Sequence, residues 1–225
     1  MQAYAWVDAR KKQLLYAAVA VTVAALAVSF YLYNRSEREV AASEALSVAS
    51  ASAQAAGAKA GQADGYLKVV AQFAGTGAAG QALLHAGTAF YAEGRYPEAL
   101  AQFERFIREY RESTLLGQAL FGVAASLDAQ GKTTDAIERY RSLLDRRPTD
   151  NIIPQAKLNL ARIYEGQNKA EQARSLYEDV GRSSPYGSAG AEAGLRLTAL
   201  LAKHPELLAA KAGATNAPAL SPVVR

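Results

Sequence analysis

The sequence predicts an all-α chain: a single N-terminal transmembrane helix followed by an α-solenoid of antiparallel helix pairs. Three observations lead there. Alanine dominates the hydrophobic half of the 225 residues, and no long stretch alternates apolar with polar as a half-buried strand would. A run of 20 residues from Leu14 to Tyr33 carries no charge. One pattern recurs at a spacing of 37: "YAEGRYPEALAQFERF" from Tyr91, "DAQGKTTDAIERYRSL" from Asp128 and "EGQNKAEQARSLYEDV" from Glu165.

The first element is a basic tail over 1–12, containing Arg10, Lys11 and Lys12. The second is a span over 13–33. At 1.5 Å per residue its uncharged run makes about 30 Å of helix, the thickness of a bilayer core. Tyr31 and Tyr33 at one end, and Tyr4, Trp6 and Tyr16 near the other, have the placement of interfacial aromatics. The run is longer than the apolar part of a cleaved signal and ends in "SFYLYNR" rather than in small residues, so it reads as an uncleaved signal anchor. Three basic residues precede it, and Arg35 and Arg38 follow. The positive-inside rule then places the N-terminus in the cytoplasm and the rest of the chain across the membrane.

After the span the chain is nearly neutral, with 22 Lys/Arg against 20 Asp/Glu from Asn34 onward. The charges are interspersed and form no basic stripe, so no nucleic-acid partner is expected. The absence of cysteine excludes disulfides, thiolate metal sites and a cysteine nucleophile.

The repeat carries the remaining elements. Its columns are Ala82, Ala119 and Ala156; Ala86, Val123 and Leu160; Gly87, Ala124 and Ala161; Phe90, Leu127 and Tyr164; Ala99, Ala136 and Ala173; Phe103, Tyr140 and Tyr177; and Phe106, Leu143 and Val180. Small residues let two antiparallel helices cross closely, and the large ones fill the space beside the crossing. Gly94, Gly131 and Asn168 tolerate the left-handed conformation that ends a helix. Pro148 and Pro185 stop the second helix of their repeats. The expected units are 80–116, 117–153 and 154–190. The same phase places Leu46, Ala49, Ser50, Ala53, Gly57, Tyr66, Val69 and Val70 on the columns of an Ala-rich helix and degenerate first repeat over 34–79. Forwards, Ala193, Leu197 and Leu201 mark a capping helix over 191–204, followed by a largely disordered tail over 205–225.

Leu83-x-x-Ala86-Gly87-x-x-Phe90, with Gly94, Ala99 and Phe103, resembles the tetratricopeptide repeat. The period exceeds that family's by about three residues, placed at "RES", "TDN" and "YGS" between repeats, and Leu83, Leu120 and Lys157 stand at its tryptophan position.

No reactive constellation accompanies the repeat. His85 and His204 have no His or Cys partner at metal spacing, and "GTGAAG" at 75–80 lacks the lysine and the preceding strand of a phosphate loop. No catalytic residue, metal or cofactor is expected, and the chain reads as a non-enzyme. In the family it resembles, the first helix of each pair lines a concave groove. That resemblance implies outward positions at Leu84, Thr88 and Tyr91, at Phe121, Ala125 and Asp128, and at Leu158, Arg162 and Glu165. Leu84, Phe121, Leu158 and Leu195 form an apolar column. Two readings of it stand: additional inter-repeat core, or a strip that receives a peptide.

The layout as a whole resembles the YfgM-like ancillary subunits of the SecYEG translocon. That resemblance implies a single-pass protein of the bacterial inner membrane, its repeats in the periplasm, its partners the translocon and periplasmic chaperones. The alternative expectation is a scaffold for envelope assembly or division that acts through homo-oligomers.

Overall fold

The computed structural model describes residues 11–56 and 61–208, except the side chains at 11–14, 17, 18 and 56. The expected basic tail up to residue 10, and the expected tail beyond 208, lie outside the described residues. Among the described residues there are nine helices and no strand: α1 (Lys11–Ala56), α2 (Gln62–Gln72), α3 (Gly77–Ala92), α4 (Tyr96–Glu109), α5 (Leu116–Ala129), α6 (Thr133–Arg146), α7 (Ile153–Gly166), α8 (Ala170–Ser183) and α9 (Ser188–Lys203). The chain divides into two compact units, residues 1–82 and 83–225.

In the first unit α1 changes character along its 46 residues. From Leu15 to Tyr33 its described large apolar side chains are all exposed. Past Glu39 it becomes a packing helix: Ala42 and Leu46 are buried, as are Ala63, Tyr66, Val69 and Val70 of α2. Of the positions expected for a degenerate repeat, Leu46, Tyr66, Val69 and Val70 are among these, Ala49, Ser50 and Ala53 are half-buried, and Gly57 lies outside the described residues. The Gln62 amide donates to the Ala53 carbonyl at 3.1 Å, tying the start of α2 to α1. The Glu39 carboxylate accepts the backbone N–H groups of Gly77 at 3.0 Å and Ala78 at 2.9 Å. The Thr76 hydroxyl accepts that of Ala79. Three of the four donors that a helix start leaves open are thereby satisfied at α3.

The expected transmembrane span is not found in this form. Among the described residues no helix is long and apolar enough to cross a membrane. The described apolar side chains are followed at once by Asn34, Arg35, Glu37 and Arg38, and positions 13, 14, 17 and 18 of the expected span lie outside the described side chains.

The second unit follows the period closely. Helices α4, α6 and α8 begin at Tyr96, Thr133 and Ala170 and end at Glu109, Arg146 and Ser183; both series step by 37. Helices α5 and α7 keep the same step at both ends. Successive helices from α4 to α9 contact one another, and α9 also touches α7.

The turn inside each pair shows why. Gly94, Gly131 and Asn168 have φ of 76°, 76° and 58°, in the left-handed region. Arg95 N–H reaches the Phe90 carbonyl at 2.8 Å and Gly94 N–H that of Tyr91 at 3.0 Å. Lys132 and Gly131, then Lys169 and Asn168, repeat both bonds. This is a Schellman ending, which reverses the chain in three residues and satisfies the last carbonyls of the first helix. Each inter-repeat connection, 110–115 and 147–152, is six residues long and holds the surplus over the family's period.

The columns form the core. Ala99, Ala136 and Ala173 are each 0% exposed, and Tyr140, Tyr177, Phe106, Leu143 and Val180 are fully buried beside them. Burial of each large side chain stabilises the stack by about 1.5–3 kcal/mol relative to exposure. Helix α9 supplies Ala193 and Leu200 to the end of the core. One boundary differs from expectation: the chain is ordered past 204. Leu207 is buried, and its carbonyl accepts a 2.7 Å bond from the Arg174 guanidinium, so an apolar side chain and a cation hold the start of the expected tail.

Candidate functional site

The three first helices of the second unit present one side of each repeat. Six of the nine expected outward positions, Leu84, Thr88, Tyr91, Phe121, Ala125 and Arg162, line a single pocket of about 380 Å³. Its remaining lining includes Phe103, Gly122 and Asn159. The volume lies in the range of small-ligand clefts, and the surface is apolar with a few convergent polar groups.

Two glycines let the Phe103 ring into the wall of this pocket. A Cβ on Gly122 would stand 2.7 Å from the Phe103 ring, and one on Gly87 would stand at the same distance from it. Phe103 therefore packs closely against two helices, at Gly87 and at Gly122, two glycines from different columns of the repeat. One period on, the positions of Phe103 and Gly122 are taken by Tyr140 and Asn159, and the Asn159 amide donates to the Tyr140 hydroxyl at 3.0 Å. Burial raises the Tyr140 pKa, so the hydroxyl stays neutral. At the next step Tyr177 donates to the Glu165 carboxylate at 3.2 Å; burial and that carboxylate push its pKa up to about 12.

The rim is polar. Arg162 pairs with Asp128 at 3.1 Å, with the arginine side chain 51% exposed. Tyr91 stacks obliquely on Tyr96 at 5.2 Å. Its pKa is raised, chiefly by burial and then by Tyr96, with Arg162 opposing, which leaves a neutral hydroxyl able to donate or accept. Glu165 sits one repeat along, between Tyr177 and Lys203. Asp128 and Glu165 thus act at the rim through partners and do not line the pocket.

The apolar column resolves position by position. Leu158 is 2% exposed and belongs to the core, as does Leu84, which still shows an edge to the pocket. Phe121 is half-buried and stands 5.9 Å from the Tyr140 ring. Leu195, on the last helix, is 76% exposed. The sequence reading missed Phe103, Gln118, Gly122, Ile152 and Asn159. A signal was present: the column reads His85, Gly122, Asn159, Arg196, and a lone glycine among large polar residues marks missing volume beside Phe103.

This geometry is that of a helical repeat with a pocket on one face. Residues 84–150 and 124–188 match the family model of the tetratricopeptide repeat. The chain is similar to the crystal structure of a Podosopora anserina kinesin light chain protein of nearly identical TPR-like repeats, at 14% identity and a TM-score of 0.57, over 75% of this chain and 88% of that one. A second crystal structure of that protein gives 14% and 0.56, over 75% and 89%. No curated protein sequence matches. Residues 84–188 thus form tetratricopeptide repeats. Among the described residues the chain is all-α, and the repeat fold of 84–188 is typically a non-catalytic module for binding other proteins.

Proposed function

We propose that the chain is a membrane-anchored module that captures an extended or helical peptide of a partner protein in the groove of α3, α5 and α7. The pocket beside Gly122 carries the reading. It would receive one large apolar side chain of the peptide, while Tyr91, Thr88, Asn159 and Arg162 hold its backbone and polar flanks. The anchor reading is supported by the uncharged run from Leu14 to Tyr33 and by the exposure of its side chains, from 54% at Val19 to 72% at Phe30. Such surface is covered in a working protein, and lipid covers it at no cost in polar groups. An anchor also raises the effective concentration of the groove for partners in the same membrane. The proposed setting is the bacterial inner membrane, with the N-terminus cytoplasmic and the repeats periplasmic. The proposed partners are the SecYEG translocon and the chaperones that receive emerging chains.

The test is photo-crosslinking from a probe at Tyr91 in membranes, with protease protection of sealed vesicles to fix the side. Crosslinks to translocon subunits that Phe121→Asp abolishes, with helicity unchanged, support the reading. Crosslinks insensitive to Phe121→Asp end the groove assignment, and digestion of the repeats only after lysis of inside-out vesicles supports the periplasmic side. A second reading, self-association into a scaffold, draws on Leu195, whose exposure leaves the end of the stack apolar. Homo-oligomers in detergent that Leu195→Glu dissolves would favour it.

A further inference from the structure

We infer that a notch between α1 and the turn before α3 binds the phosphate of an anionic lipid headgroup. The inference rests on the anchor reading above. The notch lies within the first unit and has a volume of about 330 Å³. One wall is a face of α1: Tyr31, Asn34, Arg35 and Arg38 follow one another at i, i+3, i+4 and i+7. The other wall is the turn at Gly75 and Thr76, where Gly75 adopts φ 83°.

The charge in this notch is not balanced. Arg35 and Arg38 are both exposed, and among the described residues no carboxylate lies within ion-pair distance of either. Glu39 is the one carboxylate in the lining, and both of its oxygens are engaged by the first N–H groups of α3. Two guanidinium groups therefore face a space that also offers a phenol and an amide as donors. That set suits a phosphate oxyanion: a planar guanidinium gives two parallel bonds, and tyrosine and asparagine can complete the ring. Position selects the source of the phosphate. The notch opens where the exposed apolar run ends, and the tyrosines there mark the depth of headgroups. A phosphodiester anchored in the leaflet beside Tyr33 would meet the arginines at high local concentration, whereas a free anion would compete with solvent and salt.

The experiment uses the full chain in vesicles of phosphatidylcholine, alone or with a minority of phosphatidylglycerol. The readout is association of spin-labelled phosphatidylglycerol relative to spin-labelled phosphatidylcholine. The wild type is expected to prefer the anionic lipid, and Arg35→Gln and Arg38→Gln each to reduce that preference about fivefold, the weight of one arginine near a charged leaflet. Lys11→Gln with Lys12→Gln, at the opposite end of the apolar run, should leave it unchanged for phosphatidylglycerol confined to the leaflet beside Tyr33. Insertion without preference, or a preference that survives both arginine substitutions, overturns the inference and leaves the anchor reading intact. Arginine-dependent binding of inorganic phosphate by the detergent-solubilised chain, without lipid preference, overturns the lipid source. Release of the chain from both vesicles by an alkaline wash overturns the anchor reading and this inference with it.

Discussion

Two neighbouring joints of the stack occupy the same places in the period and are built from different chemistry. At the joint between the first and second well-formed repeats, Phe103 meets Gly122. At the next, Tyr140 meets Asn159 and is hydrogen-bonded to it. The backbones follow one plan, as the matching turns at Gly94 and Gly131 show. The side chains decide the outcome: at 122 the missing side chain lets the Phe103 ring in and a pocket opens beside the two, and at 159 an amide joins the helices with a bond. The proposed binding site thus rests on a local change of side chain in a regular scaffold.

The contrast can be broken most forcefully at the closed joint. Tyr140→Ala should destabilise the chain by about 3–5 kcal/mol, because it leaves a cavity among Phe121, Asn159 and Leu143 that the stack cannot collapse to fill. Thermal unfolding followed by circular dichroism would register it, and a shift within error would mean that Tyr140 is not the plug of that joint. Next in size is Gly122→Asn. Its Cβ would enter the Phe103 ring, at a cost of about 1–3 kcal/mol. Adding Phe103→Tyr should recover part of that loss by recreating the tyrosine–asparagine bond, and the double variant should lose peptide capture while staying folded. Strict additivity of the two changes in denaturant unfolding would count against the equivalence of the joints.

Smaller still is Tyr140→Phe. It removes one hydrogen bond and leaves Asn159 in its place, for a loss of about 1 kcal/mol. The smallest stability effect belongs to Arg162→Ala. Its pair with Asp128 is half exposed and worth less than about 1 kcal/mol. The substitution should still weaken capture of a peptide with an acidic flank, and the difference from wild type should shrink with added salt. Equal affinity of both proteins at low salt would remove Arg162 from the rim.

Much of this architecture was legible in the chain. Gly94, Gly131 and Asn168 share a backbone requirement that few residue types meet, so their spacing exposed the period and the turn together. Ala99, Ala136 and Ala173 mark close crossings because larger side chains do not fit there. The groove was less legible. Leu84, Phe121 and Leu158 are alike in sequence, yet Leu158 is core and Phe121 borders open space, since exposure depends on what the adjacent repeat places opposite. The extent of order at the C-terminal end was hidden for a similar reason. Leu207 is held by Arg174, 33 residues earlier, and no local pattern announces such a contact.

The sequence alone determined the helices, their pairing and the 37-residue step, because those depend on backbone conformation and side-chain size within a few turns of chain. Only the tertiary structure decided where the stack is hollow. A pocket is volume left between elements distant in sequence, and it emerges when Phe103 and Gly122 are brought face to face. The same holds for the notch at Arg35 and Arg38, which exists because Glu39 is drawn away to cap a helix that starts 38 residues later.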